Sequence, residues 1–356
     1  MAIEGKKGKQ IAVLTGGGDA PGLNAVIRGI VFKAKSLGYD TLGILDGWKG
    51  LLDCDTHCSV TLDLDKVEDI HMLGGTILHT SRTNPFKVPD GPQQVIKNLK
   101  NLQCDFLIAI GGEDTLGVAE KLVREGVKVV GVPKTIDNDV NETDYCFGYN
   151  TAITRATEYI ENLHTTAKSH HRILIVEVMG RHAGWMTLES GIGGGASLIL
   201  LPEEPFDMDE IVRVIKAREK NGKEYAIIAV SEGAVPREGQ AVLQTGEKDT
   251  FGHVRLGGIA QWLAEELEKR TGKECRHVVL GHLQRSGNPT VFDRVLGTRL
   301  GIKAVEMVDE GQFGMIAALK GTEIVPVPLA KAVGTLRTVP KNRIDEIKLF
   351  VEGRTP

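Results

Sequence analysis

The chain has 356 residues, with 43 Lys+Arg against 47 Asp+Glu, a net charge of −4, 41% hydrophobic and 25% charged residues. Such a length is more than twice the usual domain of about 150 residues, so two domains are expected, and the composition supports a large core. The lack of a basic excess argues against a nucleic-acid partner, and the lack of any apolar run near about 18 residues argues against a membrane one. No apolar signal-peptide segment follows MAIEGKKGKQ, so a cytoplasmic protein is expected.

In chain order, QIAVLT (10–15) reads as a buried strand. Leu23, Val26, Ile27, Ile30, Val31, Ala34 and Leu37 then set one apolar face on a helix ending before Gly38. The runs 106–110 and 128–132 are strands around a helix at 114–125. A helix at 149–166, a strand at 172–178, a helix at 209–220 and a strand at 225–230 follow. A helix at 256–270, a strand at 277–280, a helix at 291–309 and a strand-like run at 323–327 complete the series. The alternation predicts an α/β fold of two lobes, each a mainly parallel sheet flanked by helices. Right-handed crossovers then carry the strand C-termini to one edge. The cysteines (Cys54, Cys58, Cys104, Cys146, Cys275) are odd in number, so free thiols are expected. Cys54, His57 and Cys58 lack a second pair at zinc spacing, so no structural zinc is expected.

The 43 glycines exceed the about 25 that ordinary usage gives, and many cluster where apolar runs end. Gly16, Gly17 and Gly18 join the first strand to the first helix, where backbone N–H groups and a helix N-terminus suit an anion. No Gly-Lys-Ser/Thr closes the loop, so it is not a Walker A loop, and it is not a proper dinucleotide fingerprint. A tight turn alone explains it equally well. Gly111 and Gly112 precede Glu113 and Asp114, two carboxylates where a metal–phosphate complex can sit; capping explains one of them. Asp137 and Asp139 follow the strand at 128–132 and share a side if that segment is extended. Lys134 supplies a point charge for phosphate oxygens. Arg172 and Arg181 flank one later strand, and Arg276 and Arg285 bracket another, which suggests a pocket for a phosphorylated ligand.

These residues resemble the phosphofructokinase family. The motifs are TGGGDAPGLNAVIRG (15–29), GGTILHTSR (74–82), GGEDT (111–115), PKTIDND (133–139), RILIVEVMGRHAG (172–184) and RHVVLGHLQRSG (276–287), in family order over roughly 10–300. The resemblance implies phosphorylation of fructose 6-phosphate at its 1-hydroxyl with Mg2+. Asp137 is then the base, with Thr135 on the same substrate. Glu113 is at the metal-acid position, and Gly17, Gly18 and Gly112 lie at the donor. Arg82 lies near the transferring phosphate. Met179, Gly180, Arg181, Glu232, Arg276, His282 and Arg285, with Arg172, hold the sugar phosphate. Arg172 and Arg276 would reach it from a neighbouring subunit, implying a homodimer or homotetramer with shared sites. The implied donor lobe is 1–148 plus about 284–334; the sugar-phosphate lobe is 149–283 plus about 335–356.

The donor turns on Asp114 and Lys134, since ATP-using members usually carry glycine at both positions. A carboxylate at 114 repels the α-phosphate of ATP, whereas diphosphate has none. Lys134 neutralises diphosphate charge. The pair therefore resembles the pyrophosphate-dependent branch, with the ATP-dependent enzyme as the alternative. ATP-using relatives with that lysine exist, so Asp114 carries most of the weight. Positions matching effector-nucleotide contacts hold Phe32, His164 and Ser197, leaving Arg28 without companions, so weak or absent allostery is expected. A non-catalytic sugar-phosphate sensor would have lost Asp137. A lipid or NAD kinase would lack the MGR and GHLQR set, and an oxidoreductase would need GxGxxG with a ribose acid.

Overall fold

The computed structural model describes residues 8–54, 57–237 and 258–352. Its strands, among the described residues, are β1 (Gln10–Thr15), β2 (Asp40–Ile44), β3 (Ser59–Leu62), β4 (Phe106–Gly111), β5 (Val129–Thr135), β6 (Phe147–Gly148), β7 (Ile173–Val178), β8 (Leu198–Leu200), β9 (Ala226–Ser231), β10 (Cys275–Val279), β11 (Met315–Lys320) and β12 (Glu323–Pro328). The chain divides into two compact units. The first is Met1–Ile136, Val140–Thr151 and Arg285–Leu336; the second is Asp137–Asp139, Ala152–Gln284 and Arg337–Pro356.

The first unit holds one sheet in the order β12-β11-β5-β4-β1-β2-β3, with β6 beside β5. Its interior is parallel, and antiparallel β3 and β12 close the edges. Side chains alternate across the sheet as the two-residue period requires. Ile11, Val13, Ile108, Ile110, Val130 and Val132 pack on one face with helices Leu23–Ser36 and Val291–Asp309. Ala12, Leu14, Leu107, Ala109 and Val129 pack on the other with helices Gly91–Asn101 and Glu113–Arg124. Both faces are therefore covered, which is why these strands are apolar throughout. Thr15 lies opposite Ile110 and Gly111 opposite Pro133, so the loops leaving β1, β4 and β5 emerge at one edge.

The second unit holds a four-stranded parallel sheet in the order β10-β7-β9-β8. Ile173, Ile175, Ile228 and Val230 pack against helices Met208–Lys220 and Ile259–Thr271.

Local differences from expectation have local causes. β2, β3 and β8 escape the apolar-run criterion because they are short or interrupted, as Gly43 interrupts β2. The helix expected at 149–166 continues to His170, and β5 runs on through Pro133 to Thr135. The start of the helix expected at 256–270 lies outside the described residues; its described part begins at Ile259. Cys54 and Cys58 form a disulfide with Cα atoms 5.1 Å apart, against the five free thiols expected. No helix among the described residues is long and apolar enough to cross a membrane.

Candidate active site

In the first unit the glycine loop after β1 is laced to the segment that carries Arg82. Gly16 N–H donates to Ile110 O at 2.9 Å and Gly17 N–H to Ser81 O at 3.1 Å. Thr80 Oγ1 donates to Gly17 O at 2.7 Å and Thr15 Oγ1 to His79 O at 2.6 Å. The sequence suggested that these amides approach an anion; those of Gly16 and Gly17 instead bond within the protein. Positive charge reaches the loop through side chains. Lys134, only 3% exposed, donates from Nζ to Gly18 O, and Arg285 Nη1 donates to Asp19 O at 3.0 Å. A Cβ at Gly18 would lie 2.7 Å from that guanidinium nitrogen, so glycine there admits Arg285. Arg285, expected in the sugar-phosphate set, sits at the glycine loop in this unit.

Glu113 and Asp114 occupy the first turn of helix Glu113–Arg124, where the N-terminal partial charge favours carboxylates. Gly334 N–H donates to Glu113 Oε1 at 3.1 Å, which fixes one oxygen of that carboxylate. Behind them the Thr115 hydroxyl is buried without a hydrogen-bond partner. A Cβ on Gly16 or Gly111 would lie 2.6 Å from Thr115 Oγ1, so these two glycines make room for threonine. No cluster of three His, Cys, Asp or Glu among the described residues could hold a metal alone. Adjacent carboxylates still fit Mg2+, which takes oxygen ligands from one or two acids together with substrate phosphates. Lys134 and Thr135 end β5, and the chain enters the second unit at Asp137.

There the expected extended segment does not form. Asn138 has φ 53°, a left-handed turn, so the two-residue period of a strand does not apply to Asp137 and Asp139. Met179, Gly180 and Arg181 leave β7, with Met179 N–H on Gln284 Oε1 at 3.2 Å. Gly180 O accepts from Ser231 Oγ at 2.9 Å and from Gly233 N–H at 3.2 Å. Glu232 follows β9 and donates its N–H to Val178 O at 2.9 Å. Burial, then the charge of Asp137, pushes its carboxyl up to about 7, against the pull of Arg181. The structure thus brings Asp137, Arg181 and Glu232 within electrostatic reach of one another.

Arg172 and Arg276 form a second group. Glu274 takes Arg172 Nε on Oε2 at 2.7 Å and Arg276 Nη2 on Oε1 at 2.5 Å. The Arg172 hydrogen bond holds the Glu274 carboxyl below its usual range. His282 lies on the short helix Gly281–Arg285. At the effector-like positions, Arg28 stacks 4.4 Å from the Phe32 ring and donates from Nε to Glu68 O at 2.8 Å. His164 Nε2 bonds Gly194 O at 2.8 Å, its Nδ1 lies 3.3 Å from the Tyr225 hydroxyl, and Ser197 Oγ accepts Ile227 N–H at 3.3 Å. The sequence reading missed Glu274, Thr115 and Arg337. Only Glu274 left a signal, an acid two residues before Arg276 on the approach to a strand.

The phosphofructokinase family model matches residues 10–308. A pyrophosphate–fructose 6-phosphate 1-phosphotransferase of Amycolatopsis mediterranei is 57% identical over 96% of this chain and 99% of its own. An ATP-dependent 6-phosphofructokinase 3 of Streptomyces coelicolor is 51% identical over 95% of this chain and 98% of its own. The T-state crystal structure of Pichia pastoris phosphofructokinase superposes with a TM-score of 0.81 at 28% identity, over 99% of this chain and 37% of that longer one. The chain belongs to the phosphofructokinase family.

Proposed function

We propose that this chain is a pyrophosphate-dependent 6-phosphofructokinase that converts fructose 6-phosphate and diphosphate reversibly into fructose 1,6-bisphosphate and phosphate, in the cytoplasm and with Mg2+. The observation that carries it is the buried Lys134 ammonium on Gly18 O, with Asp114 in the first turn of the neighbouring helix. Asp114 crowds and repels an α-phosphate, whereas the compact charge of diphosphate suits a lysine. The relative named for pyrophosphate at 57% identity supports the same donor. The ATP-named relative at 51% identity is the observation favouring the second reading, ATP as donor.

In the proposed reaction Asp137 takes the proton of the 1-hydroxyl as its oxygen attacks the terminal phosphorus, and the bond to the bridging oxygen breaks to release phosphate. Thr135 binds the same sugar. Lys134, Arg82 and Arg285 offset charge on the donor and the transferring group. Met179, Gly180, Arg181, Glu232 and His282 hold the sugar phosphate and set the alcohol in line. Glu113, joined by Asp114, would hold Mg2+, which supplies charge neutralisation at the phosphate oxygens. The first unit then takes the donor and the second the sugar phosphate. Arg172 and Arg276 serve a neighbouring subunit in a homodimer or homotetramer, aligned by Glu274. Nucleotide allostery is absent because Arg28 and His164 are engaged within the protein.

Assays of purified enzyme in both directions test the donor. Turnover with Mg2+ and diphosphate but not ATP is expected; strong ATP turnover without diphosphate turnover refutes it.

A further inference from the structure

We propose that Arg337 is a positioning residue for phosphoryl transfer, holding the turn that carries Asp137; this rests on the reading of Asp137 as the base. Arg337 comes from a stretch of sequence far from every motif of the site, yet it meets the turn directly. Its backbone N–H donates to Asp139 O at 2.8 Å, and its Nη1 donates to Asn138 O at 3.3 Å. Its own carbonyl accepts Trp185 Nε1 at 2.9 Å, and its guanidinium lies 4.4 Å from the Trp185 ring. Trp185 is buried and opens the helix Trp185–Gly193, which directly follows the loop bearing Met179, Gly180 and Arg181.

The geometry gives these contacts a purpose. Asn138 is left-handed, a conformation that costs free energy for a residue with a side chain and persists only when its surroundings fix it. Release of the Asn138 carbonyl lets the turn relax toward ordinary backbone angles, and the Asp137 side chain, one residue earlier, then swings with it. A guanidinium suits the task because its donors sit in a rigid plane and that plane stacks on Trp185. Arg337 therefore ties the direction of Asp137 to the loop that presents Arg181. It touches neither substrate nor reacting atoms and acts through the turn.

The test uses the full chain. Arg337→Met keeps the stem against Trp185 and both backbone contacts but removes the Nη1 donor. Misplacement by about 1 Å at a reacting group costs on the order of 100-fold, so kcat is expected to fall about 10- to 100-fold. KM for fructose 6-phosphate should stay within about twofold, because ground-state binding is untouched. Methylguanidinium should restore part of kcat in Arg337→Ala, and Arg337→Lys should lose less than Arg337→Met. Unchanged kcat in a folded Arg337→Met overturns the proposal. So does a kcat loss that follows loss of folded protein and resists methylguanidinium. If Arg337→Met does not fold, Arg337→Lys decides: full activity overturns the proposal, and a kcat loss at constant KM and folded content supports it. Asp137→Asn is run alongside. Its retention of kcat refutes the base assignment itself, whereas its inactivity beside a fully active Arg337→Met removes only the positioning role.

Discussion

Glu232 is a carboxyl that burial and the nearby Asp137 charge lift from 4.5 to about 7. Between those values the folded chain binds more protons at this group than the unfolded chain, so stability falls as pH rises. The contribution is complete below about pH 4.5 and is lost as pH passes through about 7. Glu232→Gln removes the dependence: thermal unfolding of the variant against the parent should show a relative gain at pH 8.5 over pH 5.5. An unchanged difference across that range rejects the raised carboxyl. The donor hypothesis meets its own test at this scale. Asp114→Gly with Lys134→Gly should cut diphosphate kcat/KM by about 100-fold or more, the scale of removing one charged transition-state contact, and should raise ATP use. Unchanged donor preference in the double variant rejects the argument from size and charge. Asp114 and Lys134 were visible in the sequence because each falls beside a strand end within a motif, whereas Glu232 lies outside the motifs and was named only through the family resemblance. Thr115 was not visible as a determinant of glycine at 16 and 111, because that constraint is a contact across two loops.

Helix Tyr149–His170 begins with an unusual support. Asp293, wholly buried on helix Val291–Asp309, accepts the Thr151 N–H at 2.7 Å and the Thr151 hydroxyl at 2.6 Å. Burial dominates and pushes its carboxyl up to about 6 despite these donors. Asp293→Ala should cost about 2 kcal/mol, since it removes a cap and leaves a buried donor unpaired. Asp293→Asn keeps the acceptor and should cost less. Urea unfolding of the three proteins checks the order, and equal stabilities reject the capping role. The bounds of helix Val291–Asp309 were read to the residue from the sequence, and the structure adds Thr290 as its N-cap. β1 was equally legible and β4 nearly so, because strands covered on both faces are apolar throughout, whereas β5 runs three residues beyond its expected end. The turn at Asn138 was not, since Ile136–Asp137–Asn138 carries no glycine or proline to announce a left-handed residue. A two-residue spacing of acids reports a shared side only while the strand continues, and this strand stops at Thr135.

At the scale of the whole molecule the chain passes between its units several times, and the shortest excursion, Asp137–Asp139, is the last three residues of the PKTIDND motif. No shift of composition marks it, and the residue that bonds Asn138 and Asp139, Arg337, is distant in sequence. Glu274 raises the same issue for assembly. One carboxylate aligns Arg172 and Arg276, and both guanidiniums keep nitrogen donors beyond those it engages. In the proposed oligomer these donors serve the sugar phosphate of a neighbouring subunit, and complementation tests this directly. Arg276→Ala should lose sugar-phosphate binding, and Asp137→Asn should lose the base. If one site draws its base and its arginine from different subunits, a hybrid of the two variants contains a site with both residues intact. Mixing the variants under conditions that dissociate and reassemble subunits should then restore turnover that neither shows alone. Glu274→Ala should raise KM for fructose 6-phosphate with a smaller change in kcat, because it leaves both arginines present but unaligned. A mixture no more active than its components, with hybrid formation confirmed by native mass spectrometry, places base and arginine in the same subunit and rejects the shared site.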